Sequence, residues 1–252
     1  MPTIALITGG NRGLGRSTAL ALASAGVDVI ITYRSNAAEA AAVVDEVKQL
    51  GRTAVAFALD AAQVETFDAF GMRVRAALRE TWDRDTFDYL VNNAGVGIGA
   101  SIADTTVEVF DELLNVHFRG VYFLTQRLLP LIADHGKIIN LSTGLARFSG
   151  EGGYAAYAAM KGAIEVFTRY LAKEVGPRGI TANVVAPGPV GTDFGGGVLR
   201  DNEQVRAHLS GQNAMGRMGR PDDIGGFITT LLTGDTGWVT AQRIEASGGM
   251  LI

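Results

Sequence analysis

Apolar positions along this chain follow two periods that alternate from one end to the other. Short β-branched runs at residues 3–8, 27–33, 53–59, 87–91, 137–141, 180–186 and 242–246 read as buried strands. Between them, apolar residues recur every three or four positions. That period predicts helices from the glycine-rich turn to about residue 25, then over 37–50, 63–82, 105–129, 153–175 and 221–233. Gly152-Gly153 precedes the fifth of these and Gly176-Pro177 ends it. No linker, repeat or low-complexity stretch interrupts the alternation. The pattern predicts an α/β fold: one doubly wound parallel sheet of about seven strands, helices on both faces, in a single domain over residues 1–252. Residues 193–213, opened by Gly195-Gly196-Gly197, read as a lid with a glycine hinge.

Composition narrows the function. The chain has 252 residues, 47% of them hydrophobic, 33 glycines and a net charge of −4. A mildly acidic balance argues against nucleic-acid and anionic-membrane partners. The absence of cysteine excludes disulfides, thiolate catalysis and Cys-ligated metals. No apolar run is long enough to span a bilayer and no basic leader opens the chain, so the cytoplasm is the expected location.

Three stretches carry candidate chemistry. The first strand runs into Thr8-Gly9-x-x-x-Gly13-x-Gly15 and then a helix. Glycines permit tight backbone turns, and a helix N-terminus offers free N–H groups to an anion, so Gly9, Asn11, Arg12, Gly13, Leu14 and Gly15 are read as a phosphate cradle. The second strand ends in Tyr33-Arg34-Ser35 rather than in the acid that binds a ribose 2′-hydroxyl. Two guanidiniums, Arg12 and Arg34, suit a 2′-phosphate, which favours NADP over NAD. Leu59 and Asp60 close the third strand, where the carboxylate can meet an adenine amine or cap the next helix.

The third stretch is Tyr157-x-x-x-Lys161. Four residues apart on a helix, the two side chains share a face. A free phenol titrates near pH 10, and a nearby ammonium lowers that value, so the pair is suited to exchange a proton with a carbonyl or alcohol oxygen. Ser142 and Thr143 put hydroxyls at the end of the fifth strand. If that strand continues, the two point in opposite directions. The three histidines, His117, His135 and His208, match neither a triad nor a metal spacing and read as surface or structural. No G-x-S-x-G elbow supports a hydrolase.

Together, Thr8-Gly-x-x-x-Gly13-x-Gly15, Asp60, Asn92-Asn93-Ala94-Gly95, Asn115, Tyr157-x-x-x-Lys161 and Pro187-Gly188 resemble, in order and over nearly the whole chain, the short-chain dehydrogenase/reductase family. The pattern is most similar to 3-oxoacyl carrier-protein reductases. The resemblance implies NADPH-dependent reduction of a ketone or 3-oxoacyl carbonyl to a secondary alcohol, with Tyr157 as proton donor. It implies that Lys161 tunes Tyr157 and holds the nicotinamide ribose, and that Asn115 holds a water beside Lys161. It also implies cofactor contacts from Asn93, Ala94, Gly95, Pro187, Gly188, Val190 and Thr192, a substrate-positioning hydroxyl from Thr143 or Ser142, and a homotetramer. The family usually has serine about thirteen residues before the tyrosine. Here Thr143 stands fourteen before, and a gap-free strand alignment favours it over Ser142. The extra residue falls in the loop 145–153. A carrier-protein substrate calls for a basic mouth; the segment 130–136 is poor in bases and leaves Arg178, which leans towards a free small ketone. A polyol or sugar alcohol dehydrogenase is the alternative enzyme, and a non-catalytic dinucleotide-binding regulator the remote one.

Overall fold

The computed structural model describes residues 1–150 and 152–252. Seven parallel strands form one sheet in the order β3-β2-β1-β4-β5-β6-β7. They are β1 Ile4–Ile7, β2 Asp28–Tyr33, β3 Ala54–Ala58, β4 Phe87–Asn92, β5 Ile132–Leu141, β6 Thr181–Pro187 and β7 Arg243–Ala246. The strand order reverses direction at β1, so the carboxyl ends of β1 and β4 open a crevice where such sheets bind ligands.

Alternation along each strand assigns its side chains to the two faces. On one face Ile4, Leu6, Ile30, Leu90, Ile138 and Ala182 pack under α3 (Phe67–Trp82), α5 (Gly120–Leu128) and α6 (Ala155–Val175). On the other, Ala5, Ile7, Val29, Ile31, Val91, Ile139 and Val185 pack under α1 (Gly13–Ser24), α2 (Ala37–Gln49) and α9 (Pro221–Thr233). Both faces are covered, which is why the strands read as continuous apolar runs rather than as strict alternation. α1 and α9 approach closely because Gly225 has no side chain: a Cβ there would lie 2.5 Å from Ser17 Oγ. Lys137 Nζ donates to the carbonyls of Leu231 and Gly234 and to Thr236 Oγ1, closing the C-terminal end of α9 with a cation.

Three elements depart from the predicted boundaries. β5 starts at Ile132, five residues early. Phe87 pairs with Ile132, the register then shifts, and pairing resumes at Tyr89 with Lys137. The helix expected over 105–129 is two helices, α4 (Val107–Leu114) and α5, joined by a π turn over Asn115–Arg119. Gly120 ends that turn because the chain passes too close for any side chain: a Cβ would sit 1.9 Å from the Ala61 carbonyl oxygen. The segment expected to be a lid contains α7 (Val198–Asp201) and α8 (Glu203–Gly211), preceded by Gly195, Gly196 and Gly197, all at positive φ. Among the described residues no helix is long and apolar enough to cross a membrane.

Candidate active site

A cleft of about 1430 Å³ runs along the carboxyl edge of the sheet. That exceeds the roughly 300–1,000 Å³ of ordinary small-ligand sites and gives room for two molecules side by side. Its two ends are built differently.

The first end is backbone. Gly9 and Gly13 adopt positive φ and line the cleft with Asn11, Arg12 and Leu14. Arg12, the residue before α1, makes no side-chain cap, so the first N–H groups of the helix stay open towards the cleft. Gly15 does not line the cleft, contrary to the sequence reading. A Cβ there would lie 2.2 Å from the Gly9 carbonyl oxygen, so Gly15 is the contact that seats the helix under the loop. Asn93 secures the loop from the other side: its Nδ2 donates to the carbonyls of Thr8 and Gly9, while Thr8 Oγ1 accepts from the N–H groups of Asn93 and Ala94.

Tyr33, Arg34 and Ser35 line the rim of this end, and neither Arg12 nor Arg34 is hydrogen-bonded by its side chain to another described residue. Glu39, which the sequence reading passed over, accepts a hydrogen bond from Asn11 Nδ2 at 2.7 Å. Its carboxylate is therefore engaged with the loop. Leu59, Asp60, Ala94 and Gly95 follow along the floor. Asp60 uses one oxygen to accept from the Ala62 N–H. The open helix N-terminus and the side-chain-free turn together fit the phosphates of a dinucleotide. Pro187, Gly188, Val190 and Thr192 line the far wall.

The second end is side chain. Tyr157 and Lys161 lie on the first turns of α6, both buried, and both reach the cleft. Burial pushes the Tyr157 phenol above its ordinary value; the Thr143 side chain nearby pulls the other way, and Tyr154 adds to the rise. The expected lowering by Lys161 does not prevail in the chain by itself. Lys161 Nζ donates to the Leu141 carbonyl at 2.8 Å and lies 5.9 Å from the Tyr157 ring centroid. Burial alone takes the Lys161 ammonium down to about 8.

The two hydroxyls after β5 separate as strand geometry requires. Thr143 lines the cleft with Tyr157, its Oγ1 accepting from the Leu145 N–H. Ser142 is turned into α6, where its Oγ donates to Glu165 Oε1 at 2.7 Å. Ser142 therefore holds the helix rather than the substrate. Glu165 also accepts from Arg243 Nε, and Arg243 in turn donates to Glu245 and to the Thr143 carbonyl. Arg147 completes the group, clasping Glu245 and the Met250 carbonyl. These bonds hold Glu245 down to about 2 in spite of its partial burial. Nothing in the sequence marks these residues as a group, because they come from β5, α6 and β7.

Asn115 is not at the site. Its side chain does not line the cleft, and its amide oxygen lies 3.4 Å from Arg119 Nη1. The π turn brings His117 there instead, fully buried, its ring 5.0 Å from that of Tyr157. The signal was present. Leu113, His117, Val121, Leu124 and Leu128 share the buried stripe at helical spacing, and Asn115 falls off it. Around Tyr157 the walls are aromatic: Tyr154 at 6.0 Å, Phe194 at 5.8 Å, with Phe148 and Leu145 beyond. Glu151, in the loop 145–153, lies outside the described residues. Among the described residues no group of three or more metal-ligating side chains is assembled.

Residues 9–251 match the family described as enoyl-(acyl carrier protein) reductase. The chain belongs to the short-chain dehydrogenase/reductase family. It is 32% identical to a 3-oxoacyl-[acyl-carrier-protein] reductase of Synechocystis sp., over 99% of this chain and 97% of that one. Among solved structures it is similar to the reductase LugOII, which catalyses keto-reduction at C1 during lugdunomycin biosynthesis, with 34% identity, a TM-score of 0.92 and coverage of 99% and 97%. It is similar also to the angucycline C-6 ketoreductase LanV with bound NADP, with 32% identity, a TM-score of 0.93 and coverage of 99% and 95%. The protein is a short-chain dehydrogenase/reductase oxidoreductase that uses a nicotinamide dinucleotide.

Proposed function

We propose that this reductase uses NADPH to convert a free, uncharged ketone to a secondary alcohol, with Tyr157 giving the proton. One observation carries the reading: a buried phenol that shares the cleft with Thr143 and Lys161, set among aromatic walls at the end of a nucleotide cradle. When bound, the cofactor supplies the hydride. Tyr157 delivers its proton to the carbonyl oxygen, and Thr143 orients that oxygen by a second hydrogen bond. Lys161, held by Leu141, stands beside the phenol as the charge that favours phenolate once the proton has gone. The walls exclude water and favour an apolar ligand.

The preference for NADPH rests on Arg12 and Arg34, on the absence of a free acid at the end of β2, and on the NADP bound in LanV. The preference for a free ketone over a carrier-tethered one rests on Arg178. Its guanidinium is bound to Asp134 and to the carbonyls of Leu129 and Ile132, at the amino end of β5 and away from the cleft. Exposed Phe110, Tyr122, Phe123, Val166 and Tyr170 on α4–α6 support a homo-oligomer, of which a tetramer is the proposed form.

Initial rates of NADPH and NADH oxidation with aryl ketones, β-ketoesters and an acetoacetyl thioester test the reading. Ketone turnover at least about tenfold faster with NADPH supports it. Turnover confined to NAD⁺-driven oxidation of polyols replaces it with the alcohol dehydrogenase alternative.

A further inference from the structure

Beyond the aromatic walls around Tyr157, the cleft continues into an apolar lobe that the mechanism above does not use. Its walls come from two parts of the chain. The loop after β5 supplies Leu145 and Phe148. The other wall is Val205 and Leu209 of α8 with Met250 and Leu251 of the segment after β7. His208 and Gln212 also reach the lobe, and their side chains bond to each other.

The second wall is a single unit. The Leu251 N–H donates to the Gln212 carbonyl, and the N–H groups of Ala214 and Met215 donate to the carbonyls of Gly249 and Gly248. These bonds tie the end of α8 to residues 248–251. The approach is close at Gly249, which lies at φ +74 and where a Cβ would stand 2.7 Å from the Ala214 Cβ. Leu251 is held at φ +51, a conformation that a bulky side chain resists, so the segment needs a hold from outside.

Arg147 is that hold. Its Nη2 donates to the Met250 carbonyl at 2.7 Å. Nε and Nη2 also grip both oxygens of Glu245, at 2.7 and 3.0 Å, so the plane of the guanidinium is fixed from β7. The same guanidinium lies 5.1 Å from the centre of the Phe148 ring. Phe148 in turn packs on Gly144, where a Cβ would meet the ring at 3.0 Å. Arg147 therefore touches both walls of the lobe, Phe148 on one and the Met250 backbone on the other, without lining the cleft itself.

We propose that Arg147 is a positioning residue that latches the two walls together and sets the width of the lobe, and that the lobe takes the non-reacting end of the substrate, a large apolar group. A large apolar group gains by leaving water for both walls at once, and the gain depends on their spacing. A ketone too small to reach the lobe draws nothing from the latch. The inference rests on the ketone-reductase reading and adds to it the size and polarity of the substrate.

The test is steady-state reduction by NADPH of a tricyclic aryl ketone and of a small β-ketoester in wild type, Arg147→Met, Arg147→Lys and Met250→Ala. Wild type should favour the tricyclic ketone in kcat/KM by about tenfold or more. Arg147→Met keeps much of the stem and removes the latch. It should raise KM for the tricyclic ketone about tenfold, with kcat and the ketoester KM within about twofold. Arg147→Lys keeps a cation for the Met250 carbonyl but cannot grip both Glu245 oxygens; it should leave that KM about threefold above wild type. Met250→Ala alters the wall and not the latch, and should raise the same KM about fivefold. A fall in kcat with both ketones in Arg147→Met overturns the proposal, because it is the signature of a residue that merely steadies Glu245, Arg243 and Thr143. An equal rise in KM for both ketones overturns it too, as does a wild type that prefers the small ketoester. Calorimetric binding of the tricyclic ketone with NADP⁺ present supplies a readout that needs no turnover. Its Kd should weaken about tenfold in Arg147→Met, and an unchanged Kd overturns the latch. A wild type that binds the tricyclic ketone and reduces neither ketone would remove the reductase reading, while the comparison of Kd values would still decide the latch.

Discussion

The two ends of the cleft are held in place by different physics. The nucleotide end, built from β1–α1 and β2–α2, is shaped by backbone. Its contacts are glycine turns, an open helix N-terminus and amide bonds from Asn93, and the pair of Arg16 with Glu46 is exposed. The reaction end, built from β5, α6 and β7, is shaped by side chains whose charges are partly buried and share partners, from Ser142 through Glu165, Arg243 and Glu245 to Arg147. An anion of fixed shape can be bound by N–H groups that need no orientation beyond the fold. A proton donor has to be aimed, and the aim comes from side-chain contacts.

The sharpest break between the two ends is Tyr157→Phe. It should lower kcat by about 10²–10⁴ and leave dinucleotide Kd within about threefold, measured by steady-state kinetics and fluorescence titration. Comparable losses of kcat and affinity would mean that the two ends are not separable. Gly15→Ala is the mirror experiment. Its Cβ would collide with the Gly9 carbonyl oxygen and with Asn93 Nδ2. Stability should fall by about 3 kcal/mol or more, with dinucleotide binding lost before ketone specificity. A chemical-denaturation midpoint like that of wild type would refute this packing role.

Arg243→Met sharpens the comparison at the reaction end. It leaves Glu165 and Glu245 without their shared cation and frees the Thr143 carbonyl. We expect a loss of about 2 kcal/mol and a several-fold fall in kcat, with cofactor affinity unchanged. Arg16→Met at the nucleotide end, where the pair is solvent-exposed, should cost under about 0.5 kcal/mol. Equal costs would erase the distinction between the two ends. The smallest effect is a gain. Ala241 sits at φ +60 just before β7, a conformation that strains any residue with a Cβ. Ala241→Gly should stabilise the fold by about 0.5–1 kcal/mol, read as a small rise in Tm; a fall would mean that the methyl packs well enough to outweigh the strain.

Most of the architecture was legible along the chain. Strand runs and helical periods are local signals, and α9 falls at the residues its pattern predicts, from Pro221 to Thr233. The errors have local causes too. The continuous period over 105–129 hides the π turn, because one extra residue within a helix leaves the apolar count almost unchanged. That residue decides which side chain faces Tyr157, and spacing along the chain points to Asn115 where the fold presents His117. Ser142 and Thr143 are neighbours in sequence, and their opposite directions were anticipated from strand geometry. Glu39 and the Arg243 group left no local trace at all.

The sequence by itself determined the class of the molecule. Alternating periods fix a parallel sheet; glycines after β1 fix a turn no other residue tolerates; a tyrosine and a lysine one helical turn apart share a face wherever that helix packs. These properties depend on steric limits within a few residues of one another. Only the tertiary structure decided how the site is finished. Burial raised the Tyr157 phenol against the lysine beside it, the Ala61 carbonyl forced the turn that presents His117, and three distant segments met to hold Thr143 in place. The physical reason is the same in each case. Desolvation, close approach and shared hydrogen bonds belong to groups brought together by the fold, and no spacing along the chain encodes them.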